Sequence, residues 1–341
     1  MKILITGSQG YIGNPLTKTL KEEGHDIYAI DNGMRVDWVK EVGGKSLTNY
    51  DEEDAFFRDL RKFESVKSTL KHFKPEIIIH LASQPSGPYS EISSEHRAFT
   101  QLNNVTMLEN ILNSSHELQL DPYLIVTTTT GIPGAPDKPI LEDYMPNAAG
   151  SEYHMTRGWD SDNIRLAVRQ KQISRVLELR TSIVYGTRID DFDEPVTRFD
   201  WDFWFGTALN RFCLMKKMGE PITIYGKGLQ KKPFISLRNC VKSIRNAIFE
   251  DIEGHVIMNQ TTGPIAIVDL ANAVGGEVKH IPNPRIENES HQMVINNDKF
   301  LTLLESAEED LNKEVEFILN DIETDRLPKN WKDVYGGNLR K

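Results

Sequence analysis

The chain has 341 residues, of which 39% are hydrophobic and 26% are charged, a composition typical of globular proteins. Fifty acidic against 40 basic residues give a formal net charge of −10, which argues against a general nucleic-acid binder. The two cysteines are too few for a disulfide framework and have no metal-ligand spacing, and no apolar run approaches membrane-spanning length. Because the sequence opens on a predicted strand, we expect no signal peptide and a cytoplasmic location, with no metal, membrane or nucleic-acid partner.

The first stretch of the chain has the pattern of a dinucleotide-binding turn. Residues 2–6 form a short apolar run that predicts a buried parallel strand. Gly7, Gly10 and Gly13 follow, and then a helical pattern over residues 14–23. Glycine permits a tight turn and a close approach of the backbone to a pyrophosphate, whose charge the helix N-terminus faces.

An acid follows at the spacing that a dinucleotide site requires. The second predicted strand, residues 25–30, ends in Asp31, eighteen residues after Gly13, where a carboxylate can bind the adenosine ribose. Arg35 would suit a 2′-phosphate, but Asp31 would repel it. The sequence therefore predicts NAD rather than NADP.

Strands and helices alternate up to residue 186, with further strands predicted over residues 55–60, 76–83, 121–130 and 176–185. This order predicts an α/β fold: a doubly wound parallel Rossmann sheet with a second, smaller α/β lobe for the substrate.

We expect the domains to divide unevenly along the chain. Residues 1–186, rejoined by 234–260, are predicted to form the NAD-binding domain, and residues 187–233 and 261–341 the substrate lobe. Within the first domain, residues 37–53 are polar and weakly patterned, which favours a variable surface excursion.

Two features allow more than one interpretation. Asn103 and Asn104 lie inside a predicted helix, where asparagine is either solvated or bonded to a local group. The basic, glycine-bearing loop of residues 227–232 is either a solvated turn or a phosphate contact.

Tyr153 and Arg157 are four residues apart on a predicted helix, so their side chains lie on one face. With the glycine turn, His80-Leu-Ala82 after the fourth strand and Val184-Tyr-Gly186 after the sixth, this pattern resembles the extended short-chain dehydrogenases/reductases. In that superfamily the helix carries Tyr-x-x-x-Lys, with a threonine or serine from the preceding strand nearby.

Within the superfamily, the chain most resembles the UDP-sulfoquinovose synthase family. The stretches that carry this resemblance are Gln84-Pro-Ser-Gly-Pro-Tyr-Ser, Thr100-Gln-Leu-Asn-Asn-Val105, Tyr153-His154, Asp160-Ser-Asp-Asn163, Phe205-Gly-Thr-Ala-Leu-Asn-Arg-Phe212, Tyr225-Gly-Lys-Gly228, Met258-Asn-Gln260 and Pro282-Asn-Pro-Arg-Ile-Glu287. They span nearly the whole chain.

The departures from that family fall on the chemistry. Arg157 stands where the family has its catalytic lysine, and Pro85 and Lys232 stand where it has arginines. No carboxylate lies between Thr127 and Asp137, where the family has a glutamate, and the loop before Tyr153 is shorter.

The resemblance implies three sets of site residues. The NAD-binding set is Gly7, Gln9, Gly10, Tyr11, Ile12, Gly13, Asp31, Asn32, Arg35, Asp59, Leu60, Leu81, Ala82 and Asn103. The set for a UDP-sugar is Gln84, Tyr185, Asn210, Arg211, Tyr225, Gln230, Lys232, Gln260 and Arg285. The catalytic set is Tyr153, Arg157, Thr129 and His154.

The implied reaction begins with oxidation at sugar C4. Tyr153 as phenolate would take the 4-hydroxyl proton, Thr129 would bond the same hydroxyl, and Arg157 would supply the cation that lowers the tyrosine pKa. The 4-ketone would acidify C5, where His154 is either an acid/base group or an ordinary helix residue. Loss of the C6 hydroxyl, addition of sulfite and return of hydride to C4 would then give the sulfosugar.

Two other functions fit the same residues. A UDP-sugar 4-epimerase needs only Tyr153, Thr129 and NAD, whereas loss of the lysine could leave a non-catalytic NAD or nucleotide-sugar binder. The superfamily resemblance also implies a homodimer formed through two long helices.

Overall fold

The computed structural model describes residues 1–133, 142, 150–282, 292–304 and 308–338. The strands are β1 (Lys2–Thr6), β2 (Asp26–Asp31), β3 (Phe56–Phe57), β4 (Ile77–His80), β5 (Tyr123–Thr129), β6 (Arg175–Thr181), β7 (Ile183–Tyr185), β8 (Ile222–Tyr225), β9 (Lys231–Ser236), β10 (Gly254–Gln260), β11 (Gly263–Ala266) and β12 (Val278–Ile281). The helices are α1 (Gly13–Glu22), α2 (Met34–Val42), α3 (Phe63–Phe73), α4 (Gly87–Ser90), α5 (Ser94–Glu117), α6 (Glu152–Arg169), α7 (Ala208–Lys217), α8 (Leu237–Ala247), α9 (Ile267–Val274), α10 (Asp298–Leu301), α11 (Leu311–Asp321) and α12 (Trp331–Gly336), with a 3₁₀ turn at Thr324–Arg326.

Seven strands form one parallel sheet in the order β10-β6-β5-β4-β1-β2-β3. The strand order reverses between β1 and β4, which is where open α/β sheets bind their ligands. Helices cover both faces, so β4 is buried at every position and reads as a continuous apolar run ending in His80. The predicted doubly wound α/β fold is confirmed.

Two small sheets, β11-β9-β7 and β12-β8, pack with α7, α9 and α11 around a second apolar core. β10 pairs with β6 in the main sheet. β9, which precedes α8 and β10 in the chain, pairs instead with β7 in a small sheet. The domain division proposed from the sequence stays a prediction.

The segment of residues 37–53 is not the surface excursion that its composition indicates. It begins inside α2, where Trp38 is buried between the rings of Tyr89 and Trp204, and Leu47 is also buried. The prediction was wrong because a few widely spaced apolar residues among polar ones give no periodic signal. Two of the predicted strands are also shorter, since β4 ends at His80 and β3 has only two residues.

Candidate active site

A cleft of about 1040 Å³ opens at the carboxyl ends of β1, β4 and β5 and continues between the main sheet and the small sheets. Twelve of the fourteen predicted NAD-binding residues line it, together with three of the predicted catalytic residues and five of the predicted substrate-binding residues.

The glycine turn forms the floor of the cleft at the N-terminus of α1. Gly7 has a φ of +72°, and its amide donates to Ile30 O at 2.9 Å. A β-carbon on Gly7 would lie 2.7 Å from the Ala82 amide, and one on Gly13 would overlap Gly7 O. A side chain at either position would therefore collide with the backbone of the turn, so only glycine permits this tight approach of β1 to α1 and β4, the geometry of a dinucleotide-binding turn.

Asp31 lines the end of the cleft at which the sequence predicts the adenosine ribose. Its carboxylate accepts hydrogen bonds from the Gln9 amide at 3.1 Å and the Gly33 amide at 2.8 Å. Arg35 donates to Asp200 at 2.9 Å, and Arg198 donates to the same oxygen at 3.0 Å. Arg35 is therefore held by an ion pair with the segment after β7, which explains why its presence does not require a 2′-phosphate.

We predict that Asp31→Ala weakens NAD binding about tenfold or more, because a charged hydrogen-bond acceptor contributes roughly 1.5–3 kcal/mol. The preference for NAD over NADP should relax, since the charge that repels a 2′-phosphate is gone. Calorimetric titration of both cofactors measures the change. Asp26→Ala, at the exposed start of the same strand, is the matched control. Tighter binding of NADP than NAD by the unmodified protein would contradict the assignment.

Tyr153 and Thr129 face each other across the cleft wall, from the first turn of α6 and the last residue of β5. Ser151 caps α6, and its hydroxyl lies 2.9 Å from His154 Nδ1. Burial raises the pKa of Tyr153 above its usual value, while the Arg157 charge and a hydrogen bond with Thr129 act in the opposite direction. The Tyr153 and Thr129 hydroxyls therefore lie within hydrogen-bond reach of one another at the cleft wall.

Arg157 does not reach the cleft. Its guanidinium is buried behind β5, where it donates to Thr127 O and lies 2.6 Å from Asp160. The longer, forked side chain bonds the backbone of β5 and does not line the cleft. Arg157 therefore acts on Tyr153 through its charge and not by touching cofactor or substrate.

His154 lines the cleft as a neutral imidazole. Burial, with the nearby Lys232 charge, lowers its pKa to about 4. Gly131 is required beside it, because a β-carbon there would overlap the ring. At neutral pH the side chain can accept a proton, which suits a base more than an acid.

We predict that the free energy of unfolding falls as the pH drops from 6.5 toward 4, in part because the unfolded chain protonates His154 before the folded protein does. The contribution of His154 to the free energy of unfolding is fully present above pH 6.5 and is lost as the pH falls toward its folded pKa of about 4. Between these values the free energy of unfolding should fall by up to about 1.4 kcal/mol per pH unit because of this residue. Urea unfolding of His154→Gln across this range should show a shallower dependence than the parent. His72→Gln, on the exposed face of α3, is the control and should leave the slope unchanged.

Several predicted residues lie behind the cleft wall instead of lining it, as judged over the described part of the chain. Gln84 is buried, and its backbone amide N–H donates to Asn104 Oδ1 while its side-chain Nε2 donates to the Thr100 hydroxyl. The hydroxyl of Tyr185 donates to Glu309 at 2.8 Å, and Gln260 bonds Thr181 at 2.6 Å; these groups join elements of the fold.

Two predicted cofactor residues also lie off the lining, within the same described residues. Gln9 contributes its backbone to the Asp31 bond, and Asp59 forms an ion pair with Arg61. Gln9 lies within the glycine turn, and Asp59 follows β3.

The structure answers the alternative left open for the two asparagines, whereas a phosphate contact of the basic loop stays a prediction. Asn104 is buried and bonds the backbone of Gln84 and the hydroxyl of Thr156, which in turn donates to Tyr153 O. Asn103 lines the cleft, as do Gln230 and Lys232 of the basic loop.

Asn210, Arg211 and Tyr225, predicted from the sequence to bind the substrate, line the cleft. Arg211 donates to Tyr335 O at 2.7 Å and lies 4.1 Å from the centre of that ring. Arg285, predicted to bind pyrophosphate, lies outside the described residues, and its role stays a prediction.

Sequence reasoning missed cleft residues that come from distant parts of the chain, among them Arg198, Asp200, Met293 and Tyr335. The acidic, irregular crossover that holds Arg198 and Asp200 gave no motif. Tyr335 follows the anchoring Trp331 on α12, but no local pattern connects either residue to the site.

No helix of the described segments is long and apolar enough to cross a membrane. Among the same residues, no group of three or more histidine, cysteine or acidic side chains could hold a metal ion.

The fold and the site define the class of this protein. The chain belongs to the NAD dependent epimerase/dehydratase family, whose pattern matches residues 3–259. It is an NAD-dependent enzyme of that class, and NAD is its cofactor.

Its relatives include UDP-sulfoquinovose synthases. The chain is 30% identical over 332 residues to the chloroplastic enzyme of Spinacia oleracea, covering 85% of this chain and 69% of that protein. It is 28% identical over 333 residues to the enzyme of Sulfolobus acidocaldarius, covering 85% and 84%. The resemblance noted in the sequence is thereby confirmed.

A solved structure of similar fold is the UDP-glucose 4-epimerase of Thermotoga maritima with UDP-glucose. Its TM-score is 0.75 at 20% identity, covering 94% of this chain and 99% of that one. At 20% identity this similarity shows a shared fold and nothing further.

Proposed function

We propose that the protein converts UDP-glucose and sulfite into UDP-sulfoquinovose through a 4-keto sugar. The observation that carries this proposal is the similarity to two UDP-sulfoquinovose synthases over 85% of the chain. The cleft supports it, because Tyr153 and Thr129 stand between the glycine turn and the lining residues of the small sheets. A UDP-sugar lying along the cleft presents its hexose to that pair.

Each of the cleft residues Tyr153, Thr129 and His154 has a separate role in the proposed reaction. Tyr153 removes the proton of the 4-hydroxyl, and Thr129 orients that hydroxyl. The chemistry that bound NAD would supply there is the reversible oxidation of the sugar at C4. His154 is neutral at pH 7 and is the candidate base for the proton at C5, which the 4-ketone acidifies.

A UDP-sugar 4-epimerase is the second candidate. Among the described cleft residues, the carboxylates are Asp31 and Asp200, both at the adenosine end and away from Tyr153. A 4-epimerase needs no further acid, since the ketone rotates and the hydrogen returns to the other face. A non-catalytic NAD-binding protein is the third candidate, because the family's lysine is replaced by Arg157.

We predict that the purified protein with NAD, UDP-glucose and sulfite forms a UDP-sulfosugar, identified by mass spectrometry. Tyr153→Phe should lower turnover by about 10²–10⁴, since it removes the proton-transfer group. Tyr123→Phe is the matched control, because that hydroxyl is buried at the far end of β5 and bonds no other described group. A UDP-hexose epimer formed without sulfite would favour the epimerase, and NAD binding without any product would favour the non-catalytic protein.

We also propose that the protein is a homodimer joined through α5 and α6. These helices pack side by side and leave large apolar side chains exposed: Leu102 is 67% exposed, Trp159 41% and Leu166 40%. A second copy of the same pair would cover them. The cytoplasmic location expected from the sequence stays a prediction.

Light scattering after size exclusion should give a dimer for the parent protein and a monomer for Leu102→Glu/Trp159→Glu, because two buried charges oppose the interface. Phe249→Glu, an equally exposed apolar residue after α8, is the control and should stay dimeric. A monomeric parent at micromolar concentration would exclude the proposal.

A further inference from the structure

Asp160 is a fully buried carboxylate one turn beyond Arg157 on α6. Its Oδ2 lies 2.6 Å from Arg157 Nη1, and the two side chains are 0% and 2% exposed. Neither carboxylate oxygen accepts a hydrogen bond from another described residue. The contact is therefore an ion pair held by the i,i+3 spacing of the helix and by burial.

The position of Arg157 gives this pair a functional consequence. The guanidinium bonds Thr127 O, two residues before Thr129 on the same strand, and its charge lowers the pKa of Tyr153 from one turn away on the helix. In a buried site a charge acts over several ångströms with little screening. A carboxylate in contact with the guanidinium cancels much of that charge.

We propose that Asp160 is a positioning residue that determines how much of the Arg157 charge reaches the Tyr153 hydroxyl. This inference rests on the proposed role of Tyr153 as the proton acceptor. In the family a lysine occupies the position of Arg157; in this chain a larger cation is buried and is balanced by its neighbour. The ionised carboxylate restrains Arg157, and the protonated one releases its charge toward Tyr153.

The other charged groups around the pair have partners of their own. Glu178 on β6 accepts from Thr128 and Ser161 and forms ion pairs with Arg180 and His255. Its ion pairs are therefore with groups other than Arg157, although its charge still acts on Asp160. These contacts leave Asp160 as the carboxylate that bears directly on Arg157.

Two further titratable groups face the site. Burial and the Arg157 charge lower the pKa of His80 on β4 to about 3, so this side chain is neutral. On the cleft side, Lys232 of β9 acts on His154. Burial raises the pKa of Asp160 to about 7, against the effect of Arg157 and with that of Glu178. Its charge therefore changes within the range in which enzymes work.

The test is the ionisation of Tyr153, followed by the near-ultraviolet absorbance of tyrosinate with NAD at saturation. Subtracting the same titration in a Tyr153→Phe background isolates this tyrosine. We expect Asp160→Asn to lower the midpoint by about one pH unit or more and Arg157→Met to raise it by a similar amount. Asp162→Asn, two residues along α6 with a 59% exposed side chain, should leave the midpoint unchanged.

A double variant keeps the test decisive where Asp160→Asn fails to fold with its unbalanced arginine. Arg157→Met/Asp160→Asn removes both buried charges, and its midpoint should return close to that of the parent. A double variant that matches Arg157→Met, or an Asp160→Asn midpoint equal to that of the parent, would overturn the proposal. The titration measures ionisation and does not depend on turnover. If the midpoint shifts as expected but no product forms, the proposed function is refuted and the role of Asp160 is not.

Discussion

The close approach of Gly7 to the backbone of Ala82 is the constraint on which the rest of the structure depends. It lets β1 and β4 lie side by side while the chain leaves them in different directions, toward α1 and toward the loop before α4. The opening between those two exits is the start of the cleft. A larger residue at the turn would close this opening, so the fold and the cofactor site share one steric requirement.

The crossover after β7 is attached to α2 at the end of the cleft that contains Asp31. Asp200, from the crossover after β7, accepts from Arg35 on α2, and Phe205 lies under the Arg35 guanidinium at 3.4 Å. Trp38 on the same helix packs against Trp204. The crossover after β7 is thus anchored on α2 by an ion pair and by packed aromatic rings.

The sequence predicted the features that depend on local pattern. The glycine turn, Asp31, Thr129 and Tyr153 belong to strand ends or helix starts whose geometry follows from a few adjacent residues. Gln84, Tyr185 and Gln260 were expected at the site, but their polar groups are taken up by partners distant in sequence, such as Asn104 and Glu309.

The position of the Arg157 side chain also could not be predicted from the sequence. Its i,i+4 spacing from Tyr153 places both residues on one helix face but does not determine the direction of a long side chain. That direction depends on Asp160 and on a carbonyl of β5, which no pattern in the sequence connects to it.

The placement of β7 has a consequence for how the chain folds during synthesis. A single residue, Ser182, separates it from β6, yet β6 joins β5 in the main sheet whereas β7 pairs with β9 in a small one. As the chain emerges, β6 finds a partner that already exists, but β7 must wait for β9 and then for β11. The cleft is therefore built in order: strands β1 to β6 of the main sheet can pair early, whereas the small sheet on the opposite side is incomplete until β11 has been synthesised.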